Sequence, residues 1–188
     1  LWDDEGKTMT HEVDAVAGKE FSMTLAATTT GVAAGNIVSA AAAASTQFAL
    51  ANPVGSGVLL VLSKFIMGVI SGTPGPGPLF HGIIANVPTL AASGTIVNNR
   101  VGGVGSQAKG YASAAGAALT GGLAPTIQRA AAFSSTATAQ ASVAEVNAVE
   151  NLEGDIVIPE GYTWVPLWSV AGTSLLNAYT ISWKERPR

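Results

Sequence analysis

Cysteine is absent from this chain of 188 residues. That excludes disulfide staples, thiolate zinc centres and cysteine nucleophiles. A chain of this length needs no staple, because it can bury roughly 70% of its unfolded surface in one core. Charge is scarce too: Asp, Glu, Lys and Arg make up 11% of the residues, against ~25% in an ordinary globular domain. The net charge of −3 has the wrong sign for a nucleic-acid binder, which needs a basic face to neutralise phosphates. Histidine occurs only as His11 and His81. No Asp or Glu lies between Phe21 and Ala144, so paired carboxylates for acid–base chemistry cannot come from that long middle.

Ala, Gly, Ser and Thr take the place of the missing charges. Such a surface stays soluble in one of two ways: a Ser/Thr-rich coat on a monomer, or burial against other subunits. The second is the expectation here, a homo-oligomer. The acidic residues that do occur gather at the two ends. Asp3, Asp4, Glu5, Glu12, Asp14 and Glu20 open the chain, and Glu145, Glu150, Glu153, Asp155, Glu160 and Glu185 close it. Residues 1–20 are expected to form an acidic arm or a first edge strand, and residues 21–188 a single body.

The body is expected to be all-β. Val58–Ile70 is rich in branched residues and bounded by Pro53, Gly55 and Gly57 before it and by Gly72, Pro74, Gly75, Pro76 and Pro78 after it, which is turn chemistry around a strand. As a membrane helix it is too short, and Ser63-Lys64 interrupts it. Strands are also predicted at 155–158, 162–168 and 177–183, the last stopping at Lys184. Weaker candidates are 20–27, 47–51, 80–87, 95–101 and 126–133. Some eight strands with Gly/Pro turns fit an antiparallel β-sandwich of jelly-roll type. Two alanine-rich stretches, 38–44 and 112–119, leave room for short helices at most.

Catalytic signatures are lacking. Gly102-Gly103-Val104-Gly105 has no strand–loop–helix frame and no following Lys-Ser/Thr, so it is a loop and not a phosphate cradle. No Gly-x-Ser-x-Gly elbow frames a nucleophile. His81, in a strand-like setting, is expected to be structural or interfacial. Two histidines and scattered carboxylates do not make a metal site, and Asp3-Asp4-Glu5 is expected to be solvated, not a calcium site. No catalytic residue, metal or cofactor is therefore expected. The aromatics are the remaining candidates. Alternation places Tyr162, Trp164, Pro166 and Trp168 on one face. That face could bind sugar rings, or form core or subunit interface. Pro166 suggests an edge strand or bulge. Trp2, at the tip of the acidic arm, is a further candidate interface residue.

Two segments resemble a known group. Leu50-Ala51-Asn52-Pro53-Val54-Gly55-Ser56-Gly57, followed by an aliphatic strand and Gly72-Thr73, resembles jelly-roll structural proteins of tailed bacteriophages. So does the ending, with Ile158-Pro159-Glu160-Gly161, Trp168, Ala171-Gly172-Thr173 and Trp183-Lys184-Glu185. The resemblance spans 47–188 with a central gap, and it rests on turns and strands, not on catalytic motifs. It implies a non-enzymatic virion protein on the capsid surface: a decoration (cement) protein, trimeric, whose partners are its own copies and the major capsid protein. The alternative it leaves open is a spike or receptor-binding module that contacts a host glycan through the aromatics. Neither implies contact with nucleic acid or membrane.

Overall fold

The computed structural model describes residues 18–24, 35–36, 48–73, 76–85, 94–112, 126–135, 147–170 and 173–188. These contain twelve strands and no helix. The strands are β1 (Glu20–Thr24), β2 (Gly35–Asn36), β3 (Phe48–Asn52), β4 (Val58–Thr73), β5 (Gly77–Ile84), β6 (Ile96–Asn98), β7 (Lys109–Ala112), β8 (Thr126–Ser135), β9 (Asn147–Asn151), β10 (Val157–Ile158), β11 (Tyr162–Trp168) and β12 (Thr173–Pro187).

One sheet runs β10-β4-β12-β1-β6, with β9 also on β4; the other runs β7-β3-β11-β5-β8, with β2 on β11. The pairing is nested. β1 pairs with β12, β3 with β11, β4 with β9 and β10, and β5 with β8, all antiparallel. This is a long hairpin wound into two facing sheets, the jelly roll, as the strand and turn pattern predicts. β6 and β7 are an insertion between β5 and β8. They extend the two sheets beyond β1 and β3. The short β2 is the one parallel partner among the described strands.

β4 and β12 form the centre of the first sheet, paired from Thr73↔Thr173 to Val58↔Pro187. Leu60 and Leu62 point into the core, and so do Phe65 and Met67. Strict alternation would turn Phe65 outward, because side chains repeat with a period of two. Ser63 absorbs the difference: Trp183 pairs with Leu62 and Ser182 with Lys64, so Ser63 is the extra residue of a β-bulge. The polar interruption at Ser63-Lys64 is thus the point where the strand changes phase.

The core between the sheets is aromatic at its centre. Phe65 packs against Trp164, Tyr179 and the His81 ring with centroids 5.6, 5.8 and 5.1 Å away, Phe48 lies 5.2 Å from Tyr179, and Phe21 stacks on Trp183 at 6.0 Å. Such pairs add about 0.5–1.5 kcal/mol each beyond the area they bury. Ala49, Ala51, Ile84, Tyr111, Val165 and Leu167 form a separate buried cluster; in β3 and β11 these residues alternate with the inward Phe48, Leu50, Trp164 and Trp168.

Three expectations need correction or limits. Pro166 does not mark an edge strand: β11 is central, with Pro166 opposite His81 of β5. It is tolerated because, on the other side, β3 pairs only with 162–164 and β2 only with 167–168. The proline falls in the gap of that ladder. The last strand does not stop at Lys184 but continues to Pro187 along the start of β4. The alanine-rich stretch 38–44 lies outside the described residues, as does 113–119, while Ala112 ends β7.

Replacing Leu62, wholly buried beside the bulge, tests this centre. Leu62→Ala should cost about 2–5 kcal/mol, and Leu62→Asp should abolish cooperative melting, since an unpaired charge would be buried. Circular-dichroism melts that leave Leu62→Asp folded would place the segment on the surface.

Candidate functional site

A chain of polar side chains crosses the sandwich where β5 and β8 of one sheet face β9 of the other. The Trp164 indole N–H donates to His81 Nδ1 at 3.2 Å. Nδ1 therefore carries the lone pair, and Nε2 carries the hydrogen and donates to Glu150 Oε2 at 3.0 Å. The other Glu150 oxygen pairs with Arg129 at 2.8 Å, and the second amino group of Arg129 reaches Asp155 at 2.6 Å. His81 and Glu150 are buried, Arg129 is partly exposed and Asp155 is exposed. The chain thus runs from the centre of the core to solvent.

Local structure explains how these groups meet. His81 is inward on β5 between Leu79 and Ile83. Glu150 is inward on β9, opposite Phe65. The turn after β9 is held by the bulge: Leu152 N–H donates to Ser63 O at 2.8 Å, and Gly154 N–H to Leu62 O at 3.0 Å. Glu153 takes the left-handed conformation there, with φ 46°. That turn brings Asp155 back beside Arg129.

Burial pushes the His81 pKa below its ordinary value, and Arg129 adds to this; the hydrogen bond and charge of Glu150 oppose it. The geometry agrees, because a proton on Nδ1 would face the Trp164 N–H head-on. The arrangement holds a neutral imidazole with both nitrogens engaged. No ring nitrogen is open to a nucleophile or substrate, so the site braces two sheets and does not present a base. Among the described residues, no group of three His, Cys, Asp or Glu side chains could hold a metal, and no helix is long and apolar enough to cross a membrane.

Of the alternatives open for the aromatic face, Trp164 and Trp168 take the core: both are buried between the sheets. The Trp168 ring lies beside Tyr179, whose pKa burial raises. Tyr162 alone of that face reaches solvent, at 37% exposure. Trp2, His11 and Asp3-Asp4-Glu5 lie outside the described residues. Glu20, counted with the arm by charge, is buried as the first residue of β1, opposite Lys184.

A second feature lies at the end of the sandwich where β1, β4 and β11 begin and β3, β6 and β12 finish. Its loops are tied down. Asn98 Nδ2 donates to Gly18 O and to Val104 O, and the Arg100 N–H donates to Asn98 Oδ1 at 2.8 Å. Glu185 accepts from Ser106 and from the Gln107 N–H. Glu160 accepts from the Gly57 and Gly55 N–H groups at 2.7 and 3.3 Å, which holds its carboxyl below the usual range. Gly55 and Gly57 have φ of 82° and 73°, a conformation only glycine adopts freely. These fixed loops nevertheless expose Val101 at 100%, Val54 at 81% and Val104 at 75%.

No protein-family model, curated protein or solved structure matches this chain. Two features therefore bear on function: the interior polar chain, whose imidazole has both nitrogens engaged, and the exposed loop end.

The polar chain makes stability depend on pH. Above about pH 6.5, the ordinary imidazole pKa, neither the folded nor the unfolded chain binds the His81 proton, and the contribution is complete. As pH falls below that value the unfolded chain takes up a proton that the folded chain refuses. Stability then falls by up to about 1.4 kcal/mol per pH unit until the lower folded pKa is passed. Melts between pH 5 and 8 should show this slope, and His81→Gln, though less stable throughout, should lose it. Equal slopes in both proteins would place the titration elsewhere.

Proposed function

We propose that this chain is a non-enzymatic structural protein of a phage particle, a capsid decoration protein that assembles with its own copies and bridges neighbouring capsomers. The observation that carries it is the loop end: a rigid, internally hydrogen-bonded set of turns presents valines to solvent on a chain with only 11% charged residues. Valines held out on hydrogen-bonded loops offer apolar contact points to a partner. The fold supports the same reading, since jelly rolls are a recurrent architecture of viral shells. So does the outer face of the first sheet, where exposed Val157 and Val149 pair across strands with Val61 and Ile66.

The mechanism is mechanical. Each copy contributes a moderate contact, and copies linked on a symmetric lattice turn weak contacts into a stable shell. A closed trimer satisfies the apolar surface and matches a threefold lattice site. Its partners are its own copies and the major capsid protein, with neither nucleic acid nor membrane involved. The sugar-binding alternative has lost its aromatic platform to the core, and lone Tyr162 does not replace it.

Light scattering on the full chain at micromolar concentration should give a trimer. Co-sedimentation with capsids stripped of surface proteins should show saturable binding that raises the temperature at which the capsids burst. A monodisperse monomer that leaves capsids unchanged would remove the proposal.

A further inference from the structure

The net charge of −3 is unevenly divided. Residues 1–17 carry Asp3, Asp4, Glu5, Glu12 and Asp14 against Lys7 alone, whereas residues 18–188 hold eight Lys and Arg against seven Asp and Glu. The acidic character of the chain therefore belongs to its first segment, and the body is slightly basic. At the loop end the imbalance is sharper. Glu160 and Glu185 turn their oxygens onto backbone and hydroxyl donors of the loops. Lys19, Arg100 and Lys109 are exposed at this end, as are Val54, Val101 and Val104. The end is apolar in its relief and cationic in its charge.

Residues 1–17 join the body at Gly18, at this same end, where Gly18 O accepts from Asn98. Extended, the segment spans about 55–60 Å, enough to cross to a neighbouring molecule. It has the complementary character: carboxylates for Lys19, Arg100 and Lys109, and Trp2 as an aromatic anchor among the valines. Val101 is fully exposed and stands open to a partner.

We infer that the loop end formed by Val54, Val101, Val104, Lys19, Arg100 and Lys109 is the docking surface for residues 1–17 of a second copy of this chain. The inference rests on the assembly proposed above and gives it a contact: each copy would hand its acidic segment to the next. A head-to-tail exchange of this kind makes a ring where its rotation closes and an open filament where it does not, and it is steered by charge before Trp2 seats.

The absence of native cysteine makes the contact directly testable in the full chain. Asp4→Cys and Val101→Cys proteins, prepared separately with unchanged melting temperatures, are mixed and oxidised. A disulfide-linked mixed dimer is expected, with its yield reduced at least fivefold in 1 M NaCl and by Arg100→Glu in the Val101→Cys partner. Lys64→Cys, on the outward face of β4, should not cross-link. No mixed dimer, or a yield indifferent to salt and to Arg100→Glu, overturns the docking. So does a link that forms only within one chain when both cysteines are placed together. If light scattering and capsid binding persist while the link is missing, the docking fails and the proposed function stands. If the link forms while capsid binding fails, the docking stands and the virion assignment falls.

Discussion

The bulge at Ser63 is the constraint on which much of the sandwich depends. It lies in the pairing of β4 with β12, two long strands that join the early and late parts of the chain at the centre of one sheet. Without the extra residue, either Leu60 and Leu62 or Phe65 and Met67 would face solvent. With it, both pairs enter the core, and the carbonyls of Leu62 and Ser63 become free to accept the turn that follows β9. That turn sets Glu150 inside the sandwich and returns Asp155 to its surface. Arg129 then has a carboxylate on either side, and Glu150 has His81 ahead of it. One irregularity in a strand thus determines where the buried polar chain can stand.

A carboxylate and an imidazole in an aromatic core are costly to desolvate, by several kcal/mol for an ion with no partner. Here both sides of each group are engaged: Trp164 and Glu150 on the imidazole, His81 and Arg129 on the carboxylate. The net gain from such a network is modest, but the penalty for mispairing is large. A slip of β9 along β4, or of β8 along β5, would leave Glu150 or Arg129 facing hydrocarbon. β5 and β8 shift register between His81 and Gly82, and the polar chain stands at that shift, where mispairing would strand its charges.

The fold was largely legible because its signals are local. Branched runs bounded by Gly and Pro mark β4, β10 and β11, and alternation marks the middle of β12. Phase within the sheets was less legible. Ser63 reads as an interruption until its pairing is known, and Pro166 reads as an edge residue until the gap in the neighbouring ladder is seen. β7 and β9 were missed because Lys109–Ala112 and Asn147–Asn151 are short and mixed in polarity; their strand character comes from β3 and β4 beside them. Of the interior site, sequence singled out His81 and Trp164 but not their link. Glu150, Arg129 and Asp155 reach it through the turn set by the bulge, a contact with no signature in spacing. The face of Tyr162, Trp164 and Trp168 was correctly grouped by alternation, but alternation cannot say which face of a sheet meets its partner.

Charge scarcity takes on a specific meaning once the partners of the charged groups are known. Among the described carboxylates, Glu150 and Asp155 serve Arg129, Glu160 caps the β3–β4 turn, and Glu185 holds the loop before β7. These acids act as internal struts. Cations are treated differently: Lys19, Lys64, Arg100 and Lys109 are exposed. Residues 18–188 hold eight Lys and Arg against seven Asp and Glu, so the body is slightly basic although the whole chain is acidic. Screening by salt limits this excess to a reach of about 8–10 Å at physiological ionic strength. It can therefore act only on what is brought close, and a tethered acidic segment is brought close by the chain itself. The acidic excess of residues 1–17 and the slight basic excess of residues 18–188 thus lie in separate parts of the chain.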